Sequence, residues 1–172
     1  MRILLVDDNQ ADVFLVKDAI RQEGFAADIH TAEDGERAIH LIRAVDGDPD
    51  TPCFDCFVID LNLPRQSGAA VLDIIRSSRR CVDAPVIIIT SAVAPAERER
   101  ALKAGATHVL LKPFRLAEFR DLAKLVGHPK ILAPEVFLLA SPHRCLRSTA
   151  DSSEGTTHLH KSRMRKVGIL PE

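Results

Sequence analysis

The stretch Arg2-Ile-Leu-Leu-Val-Asp-Asp-Asn9 decides the fold class of this chain. Its apolar run, residues 3–6, lacks any alternation with polar residues, which is typical of a strand covered on both faces in a parallel sheet. Residues 12–23 then carry apolar side chains at helical spacing, and Gly24 stands where a helix C-cap is expected. The stretch therefore predicts a central β-strand that leads into a helix.

The same alternation of a short apolar run and a helical segment occurs five times before residue 126. The predicted strands cover residues 3–6, 26–31, 57–60, 85–90 and 107–111, and the predicted helices cover 12–23, 33–45, a segment from 68, 96–104 and 116–126. Five such units predict an α/β fold, a (βα)5 doubly wound parallel sheet. The second strand alternates polar and apolar residues, so we expect it near an edge.

Composition narrows the classes of function. The chain has 172 residues, which suits one domain with some length to spare, and its 23 Lys and Arg nearly balance 24 Asp and Glu. This balance disfavours a sequence-independent nucleic-acid binder, and the lack of Trp and Tyr argues against stacking platforms for single strands. No apolar run reaches the ~20 residues that cross a bilayer, and the first residues lack the longer apolar region and the cleavage site expected of a signal peptide. We expect a cytoplasmic protein without nucleic-acid or membrane partners, whose four cysteines are free thiols.

Polar residues follow the predicted strands at their carboxyl ends, where open parallel sheets bind ligands. These residues are Asp7, Asp8, Asp60, Thr90, Ser91 and Lys112. Taken singly, Asp8 could be a helix N-cap and Lys112 a solvated surface charge. Together, three carboxylates repel one another unless a cation neutralises them, and oxygen ligands favour Mg²⁺ over zinc. With that charge offset, one carboxylate could attack phosphorus and form an aspartyl phosphate, with Thr90 donating to a phosphoryl oxygen.

Four short motifs resemble, in order and spacing, the receiver domain of two-component response regulators. They are LLVDDN at 4–9, VIDLNLP at 58–64 with Ser67-Gly68, IIT at 88–90 and LKPF at 111–114. The resemblance covers residues 1–126 and implies a flavodoxin-like sheet with strand order 2-1-3-4-5. It implies that Asp60 is the phospho-acceptor and that Thr90 and Lys112 contact the phosphoryl group. The Mg²⁺ ligands that it implies are Asp7, Asp8, Asp60 and the backbone carbonyl of Asn62.

The resemblance also implies a reaction and a partner. A sensor histidine kinase would transfer a phosphoryl group from phosphohistidine to Asp60, and slow hydrolysis would follow, so we expect a signalling protein and not a multi-turnover enzyme. Residues 7–16 and 60–68 are similar to the stand-alone regulators that partner phytochrome-type histidine kinases. We therefore expect a single receiver without a DNA-binding output domain. The chain departs from the family pattern at Val109, where many receivers carry an aromatic side chain that turns inward on activation.

Residues 127–172 differ from the repeated units. They contain four prolines and a Ser/Thr/Gly-rich stretch, and from Ala133 onward they carry six Lys and Arg against four Asp and Glu. A segment this short cannot build a core of its own without a metal or disulfides. In the resembling subgroup such an extension helps the face of helix 4, strand 5 and helix 5 to form a homodimer. Residues 136–140 could be this arm, and a loosely attached tail is the other interpretation.

Other functions stay open beside the receiver. A dimeric scaffold or adaptor that is only weakly phosphorylated would keep the site residues, but its function would not depend on phosphorylation. A small aspartyl-phosphate phosphatase needs a second acid two residues after its nucleophile, where this chain has Asn62. A mononucleotide carrier is disfavoured because the aspartates within residues 7–12 would repel a phosphate. A zinc site built on Cys53 and Cys56 lacks a second cysteine pair.

Overall fold

The computed structural model describes residues 1–91, 94–113 and 116–128, which form five strands and five helices in strict alternation. The strands are β1 (Arg2–Val6), β2 (Asp28–Ala32), β3 (Cys56–Asp60), β4 (Val86–Thr90) and β5 (His108–Leu111). The helices are α1 (Gln10–Gln22), α2 (Gly35–Gly47), α3 (Gly68–Ser77), α4 (Pro95–Lys103) and α5 (Leu116–Gly127). Every predicted unit is present, and no predicted boundary differs from the observed one by more than two residues.

The five strands form one parallel sheet in the order β2-β1-β3-β4-β5, as the receiver resemblance implied. Strand β1 lies inside the sheet, and β2, with its alternating pattern, lies at an edge, as predicted. The pairing of Val6 with Ile59 and of Thr90 with Leu111 brings the carboxyl ends of β1, β3, β4 and β5 to the same edge. The polar residues that follow these strands therefore converge.

Two apolar layers cover the two faces of the sheet, and alternate residues of each strand enter opposite layers. Leu4 and Val6 of β1 join the layer under α2 and α3, whereas Ile3 and Leu5 join the layer under α1 and α5. Because both faces are covered, every position of the run must be apolar. The predicted stripe of α1 faces the second layer, with Val13, Val16, Ala19 and Ile20 all buried.

Helix α1 begins at Gln10, two residues before the predicted start. Its N-cap is Asn9, whose side-chain oxygen accepts a hydrogen bond from the backbone nitrogen of Ala11 at 3.0 Å. The interpretation of Asp8 as the N-cap is therefore wrong. Asp8 is exposed and is available for another role.

The expectation of free thiols is wrong for two of the cysteines. Cys53 and Cys81 form a disulfide across 28 positions of sequence, with their Cα atoms 5.6 Å apart. The pairing is hidden in the sequence because the two loops come together only when β3 and β4 lie side by side. Cys56 is a free thiol buried in β3, as predicted, and burial raises its pKa to about 12. The Cys53–Cys56 spacing therefore does not mark a paired site.

Most of the predicted extension, residues 129–172, lies outside the described residues, and with it the proposed dimerisation arm at 136–140. Within the described part of the chain, no helix combines the length and apolar character needed to span a bilayer.

Candidate functional site

The sequence-predicted site residues meet at the carboxyl edge of the sheet. Asp7 follows β1 and Lys112 follows β5, while Asp60 and Thr90 are the last residues of β3 and β4. All four are buried, with relative exposures of 8 % or less. Buried polar side chains are uncommon unless they pair, so their concentration at one edge marks a built site.

The ammonium group of Lys112 is the centre of the site. Its Nζ lies 2.8 Å from Asp60 Oδ2 and 2.9 Å from Asp7 Oδ2. It also lies 2.9 Å from Oδ2 of Asp12, on the first turn of α1. Burial alone would lower the pKa of Lys112, but the hydrogen bonds with the three carboxylates outweigh it and raise that pKa. Lys112 is thus a permanent cation at neutral pH, and the interpretation as a solvated surface charge is wrong.

Asp7 is the most deeply buried of the acids, and its environment disfavours its charge. Burial raises its pKa from the usual value near 3.8, against the lowering effect of the Asn9 backbone N–H and of Lys112. The Asn9 nitrogen donates to Asp7 Oδ1 at 2.9 Å. Asp7 Oδ2, although close to Lys112, is buried and accepts no hydrogen bond from the described residues. One carboxylate oxygen is therefore left for a further ligand.

Asp60 is held by the turn that follows β3. The backbone nitrogen of Asn62 donates to Asp60 Oδ1 at 3.0 Å, and the Asn62 side-chain amide donates to Oγ1 of Thr90 at 3.3 Å. Asp60 Oδ2 faces Lys112, as above. The Asp60 carboxylate, the Thr90 hydroxyl and the Lys112 ammonium thus lie side by side at the ends of three neighbouring strands.

The donor set fits a hard divalent cation. One carboxylate oxygen from each of Asp7, Asp8 and Asp60 lies within 4.8 Å of the others, with Asp8 exposed and the other two buried. This is the one group of acidic, His or Cys ligands that could hold a metal among the described residues. Carboxylate oxygens at such spacing, together with the unsatisfied Asp7 Oδ2, suit Mg²⁺ or a similar ion.

Two glycines allow the β3–α3 loop to pack closely around the site. A Cβ on Gly68 would lie 2.2 Å from the backbone oxygen of Asp60, and a Cβ on Gly35 would lie 2.0 Å from that of Gln66. The loop is further held by Arg65, which adopts a φ of 64° and pairs with the buried carboxylate of Asp34 at 3.0 Å. The loop that carries Asn62 is therefore fixed from both sides.

Asp12 is the site residue that sequence reasoning missed. The sequence marks it only as a charge that would repel nucleotide phosphates, yet its Oδ2 contacts Lys112 and also accepts a hydrogen bond from Asn9 Nδ2 at 3.1 Å. A signal was present in the sequence, because a side chain on the first turn of the helix after β1 must lie near the carboxyl edge of the sheet.

Val109, the position where an aromatic is usual, is buried in the layer that contains Ala101 and Ala106. Leu111, two residues further along the edge strand β5, is 51 % exposed. Strand β5 therefore buries a small apolar side chain, Val109, and exposes a large one, Leu111.

The fold and site together define an α/β protein with a doubly wound sheet whose carboxyl edge carries an acidic cluster, able to hold a cation, beside a buried lysine. Comparison with known families makes the class specific. The chain belongs to the response regulator receiver domain family, whose sequence model matches residues 3–124.

Several curated relatives are longer than this chain. The transcriptional regulatory protein TcrA of Mycobacterium tuberculosis is 32 % identical over an alignment of 181 positions, which covers 99 % of this chain and 66 % of TcrA. The chain spans about half the length of several other curated relatives that it matches. The similarity to TcrA extends beyond the receiver into the C-terminal segment.

Solved structures confirm the fold. The Mn²⁺-bound form of response regulator Rcp1 superposes with a TM-score of 0.66 at 20 % identity, covering 78 % of this chain and 99 % of Rcp1. The phosphorylated cyanobacterial phytochrome response regulator RcpA also has a TM-score of 0.66, at 22 % identity, covering 74 % of this chain and 94 % of RcpA. At these identities the likeness establishes a shared receiver fold.

Proposed function

We propose that Asp60 accepts a phosphoryl group from a phosphohistidine of a sensor histidine kinase. The observation that carries this proposal is the buried Lys112 ammonium, 2.8 Å from Asp60 Oδ2, inside a cluster of carboxylates. In the transfer, a carboxylate oxygen of Asp60 bonds to phosphorus while the bond from phosphorus to the imidazole nitrogen breaks. The imidazole keeps the electron pair and takes up a proton. Lys112 and the Thr90 hydroxyl would contact the phosphoryl oxygens.

The ligands proposed for Mg²⁺ are the carboxylates of Asp7, Asp8 and Asp60 and the backbone carbonyl of Asn62. When bound, Mg²⁺ would neutralise charge and orient the phosphoryl oxygens. The chain itself holds Asp60 through the Asn62 N–H, keeps water away from Asp7 by burial and supplies the fixed positive charge of Lys112. The Mn²⁺ named in the Rcp1 structure supports a divalent ion in this fold.

Mass spectrometry tests the acceptor directly. Incubation with Mg²⁺ and acetyl phosphate is expected to add about 80 Da, the mass of one phosphoryl group, on the peptide that contains Asp60. The variant Asp60→Asn should remain unmodified, whereas Asp73→Asn, an exposed aspartate on α3, should be modified like the parent chain. An unmodified parent under conditions that label another receiver would contradict the proposal and favour the scaffold function.

We further propose that the chain hydrolyses its own aspartyl phosphate slowly and is not a multi-turnover phosphatase. A phosphatase would need a second acid where Asn62 lies, and the Asn62 amide contacts Thr90 and has no proton to exchange as a carboxylic acid would. Release of inorganic phosphate is therefore expected to be slow after one addition of acetyl phosphate. Rapid release over many turnovers would contradict this.

We propose that this chain is cytoplasmic and that its partner is a sensor histidine kinase of the phytochrome type. The support is the fold shared with RcpA, which is named a phosphorylated phytochrome response regulator. Residues 1–126 would form the receiver and residues 127–172 a C-terminal extension. Phosphotransfer from a purified phytochrome-type kinase, measured against a kinase of another sensor class, tests this choice.

A homodimer through α4, β5 and α5 is proposed on the exposed apolar side chain of Leu111 in edge strand β5. Light scattering of the phosphorylated and unphosphorylated chain would measure it. Leu111→Glu should dissociate such a dimer, whereas a chain that stays monomeric in both states would contradict it.

One observation favours a second candidate, a transcriptional output. TcrA, named a transcriptional regulatory protein, aligns with nearly the whole chain, including the C-terminal segment. Binding of the full chain to double-stranded DNA with a steep salt dependence would support this candidate. Equal, negligible binding by the full chain and by residues 1–128 would count against it.

A further inference from the structure

The three N–H donors of Lys112 face three carboxylates, and this matching suggests a role for Asp12. An ammonium group has three protons. Its partners are Asp60 Oδ2 at 2.8 Å, Asp7 Oδ1 at 3.1 Å and Asp12 Oδ2 at 2.9 Å. All donors of the lysine are therefore engaged before any phosphoryl group arrives.

Asp12 differs from the other two partners in its surroundings. Its side chain is 19 % exposed, compared with 0 % for Asp7 and 4 % for Asp60. It stands on the first turn of α1, where Asn9 Nδ2 also donates to its Oδ2 at 3.1 Å. If released from Lys112, Asp12 would keep the Asn9 contact and gain water, whereas Asp7 would leave a buried charge without its partner. Asp12 is the partner whose release costs least.

We propose that Asp12 is a positioning residue that competes with the incoming phosphoryl oxygens for Lys112 and so limits how tightly the site holds a phosphoryl group. This inference rests on the proposed function, in which Lys112 contacts a phosphoryl group on Asp60. Phosphorylation of Asp60 frees at most the one donor that Lys112 gives to this carboxylate. A second phosphoryl oxygen can pair with Lys112 only after Asp7 or Asp12 gives up a donor. Asp12 therefore weakens the phosphorylated state by the strength of the contact that must be broken.

Beryllium fluoride with Mg²⁺, which imitates an aspartate-bound phosphoryl group, measures this competition. Because Asp12→Asn removes the competing charge and keeps a side chain able to pair with Asn9, we expect it to bind beryllium fluoride about three- to tenfold more tightly. The aspartyl phosphate formed from acetyl phosphate should also persist longer. Isothermal calorimetry suits the titration, because the chain has no Trp or Tyr to report binding.

The matched control is Asp18→Asn, which changes net charge equally on the same helix but removes a carboxylate that pairs with Gln22 at 2.6 Å. Its affinity should equal that of the parent chain, and Asp12→Glu, which keeps the charge, should stay within about twofold of the parent. In a Lys112→Arg background, the five N–H donors of a guanidinium should reduce the effect of Asp12→Asn below about twofold.

The outcomes separate the two proposals. If the parent chain binds beryllium fluoride and Asp12→Asn binds it equally or more weakly, the competition is overturned and the proposed function stands. An equal gain from Asp12→Asn in the parent chain and in the Lys112→Arg background would indicate simple charge repulsion and would also overturn it. If the parent chain binds no beryllium fluoride and takes no phosphoryl group, the proposed function itself fails.

Discussion

Replacement of Lys112 by Met tests whether this lysine holds the site together. The change removes a cation with a side chain 9 % exposed and leaves three carboxylates facing an apolar group. At 2.8 to 2.9 Å, each lysine–carboxylate contact has a Coulomb energy of about 6 kcal/mol at an effective dielectric constant near 20. Most of this attraction offsets the desolvation of the buried groups. Loss of one partner from such a cluster is expected to lower the free energy of unfolding by about 3 kcal/mol at pH 7.

The assay is urea unfolding followed by circular dichroism, with Lys103→Met as the matched control. Lys103 pairs with Glu99 at 2.7 Å, but its side chain is 74 % exposed, so its loss should have little effect on stability. The pH dependence has a definite sign. Burial already raises the pKa of Asp7, and loss of Lys112 raises it further, so the folded variant gains protons relative to the unfolded chain as pH falls. The deficit of Lys112→Met should shrink through the acidic range. A deficit below about 1 kcal/mol, or one that grows on acidification, would refute this reasoning.

Three further predictions concern the disulfide, the cation and the loop beside the site. Reduction of the Cys53–Cys81 disulfide, which spans 28 positions, should lower the free energy of unfolding by about 3–4 kcal/mol and Tm by about 10 °C. The variant with both cysteines replaced by serine should have the same Tm with and without reductant. Mg²⁺ at ten times its Kd should stabilise the folded chain by about 1.4 kcal/mol at pH 7, as measured in a thermal melt. This stabilisation should disappear as pH falls through the raised pKa of Asp7. Stabilisation that does not depend on pH would contradict binding at the acidic cluster. Gly68→Ala, whose Cβ would approach a backbone oxygen to 2.2 Å, should lower the free energy of unfolding by about 1–3 kcal/mol and slow the transfer of a phosphoryl group to Asp60. Gly47→Ala, with no atom within 4 Å of its Cβ, should lose no stability. Calorimetry and the acetyl phosphate assay measure both glycine variants.

The sequence predicts the sheet and its ligand edge because both follow from local patterns. An apolar run without alternation requires cover on two faces, and five βα units leave each polar strand end at one edge. The strand order came from the family resemblance, since the apolar pattern alone does not specify which strands are neighbours. The contacts that were missed join distant positions. Asp12 meets Lys112 across 100 residues of chain, and Cys53 meets Cys81 through the adjacency of β3 and β4.

The packing of α4 against β5 explains how a phosphorylated Asp60 could affect α4 even though Val109 stands where an aromatic side chain is usual. Helix α4, all nine residues of which are described, buries one side chain, Ala101, whereas α3 buries three, those of Val71, Leu72 and Ile75. Ala101 shares its apolar layer with Val109, and β5 pairs directly with β4, which ends in Thr90. A shift of Thr90 toward a phosphoryl group can thus reach α4 through the backbone pairing and one small apolar contact. Because α4 contributes so little buried apolar surface, moving it costs less than moving any helix with a full stripe.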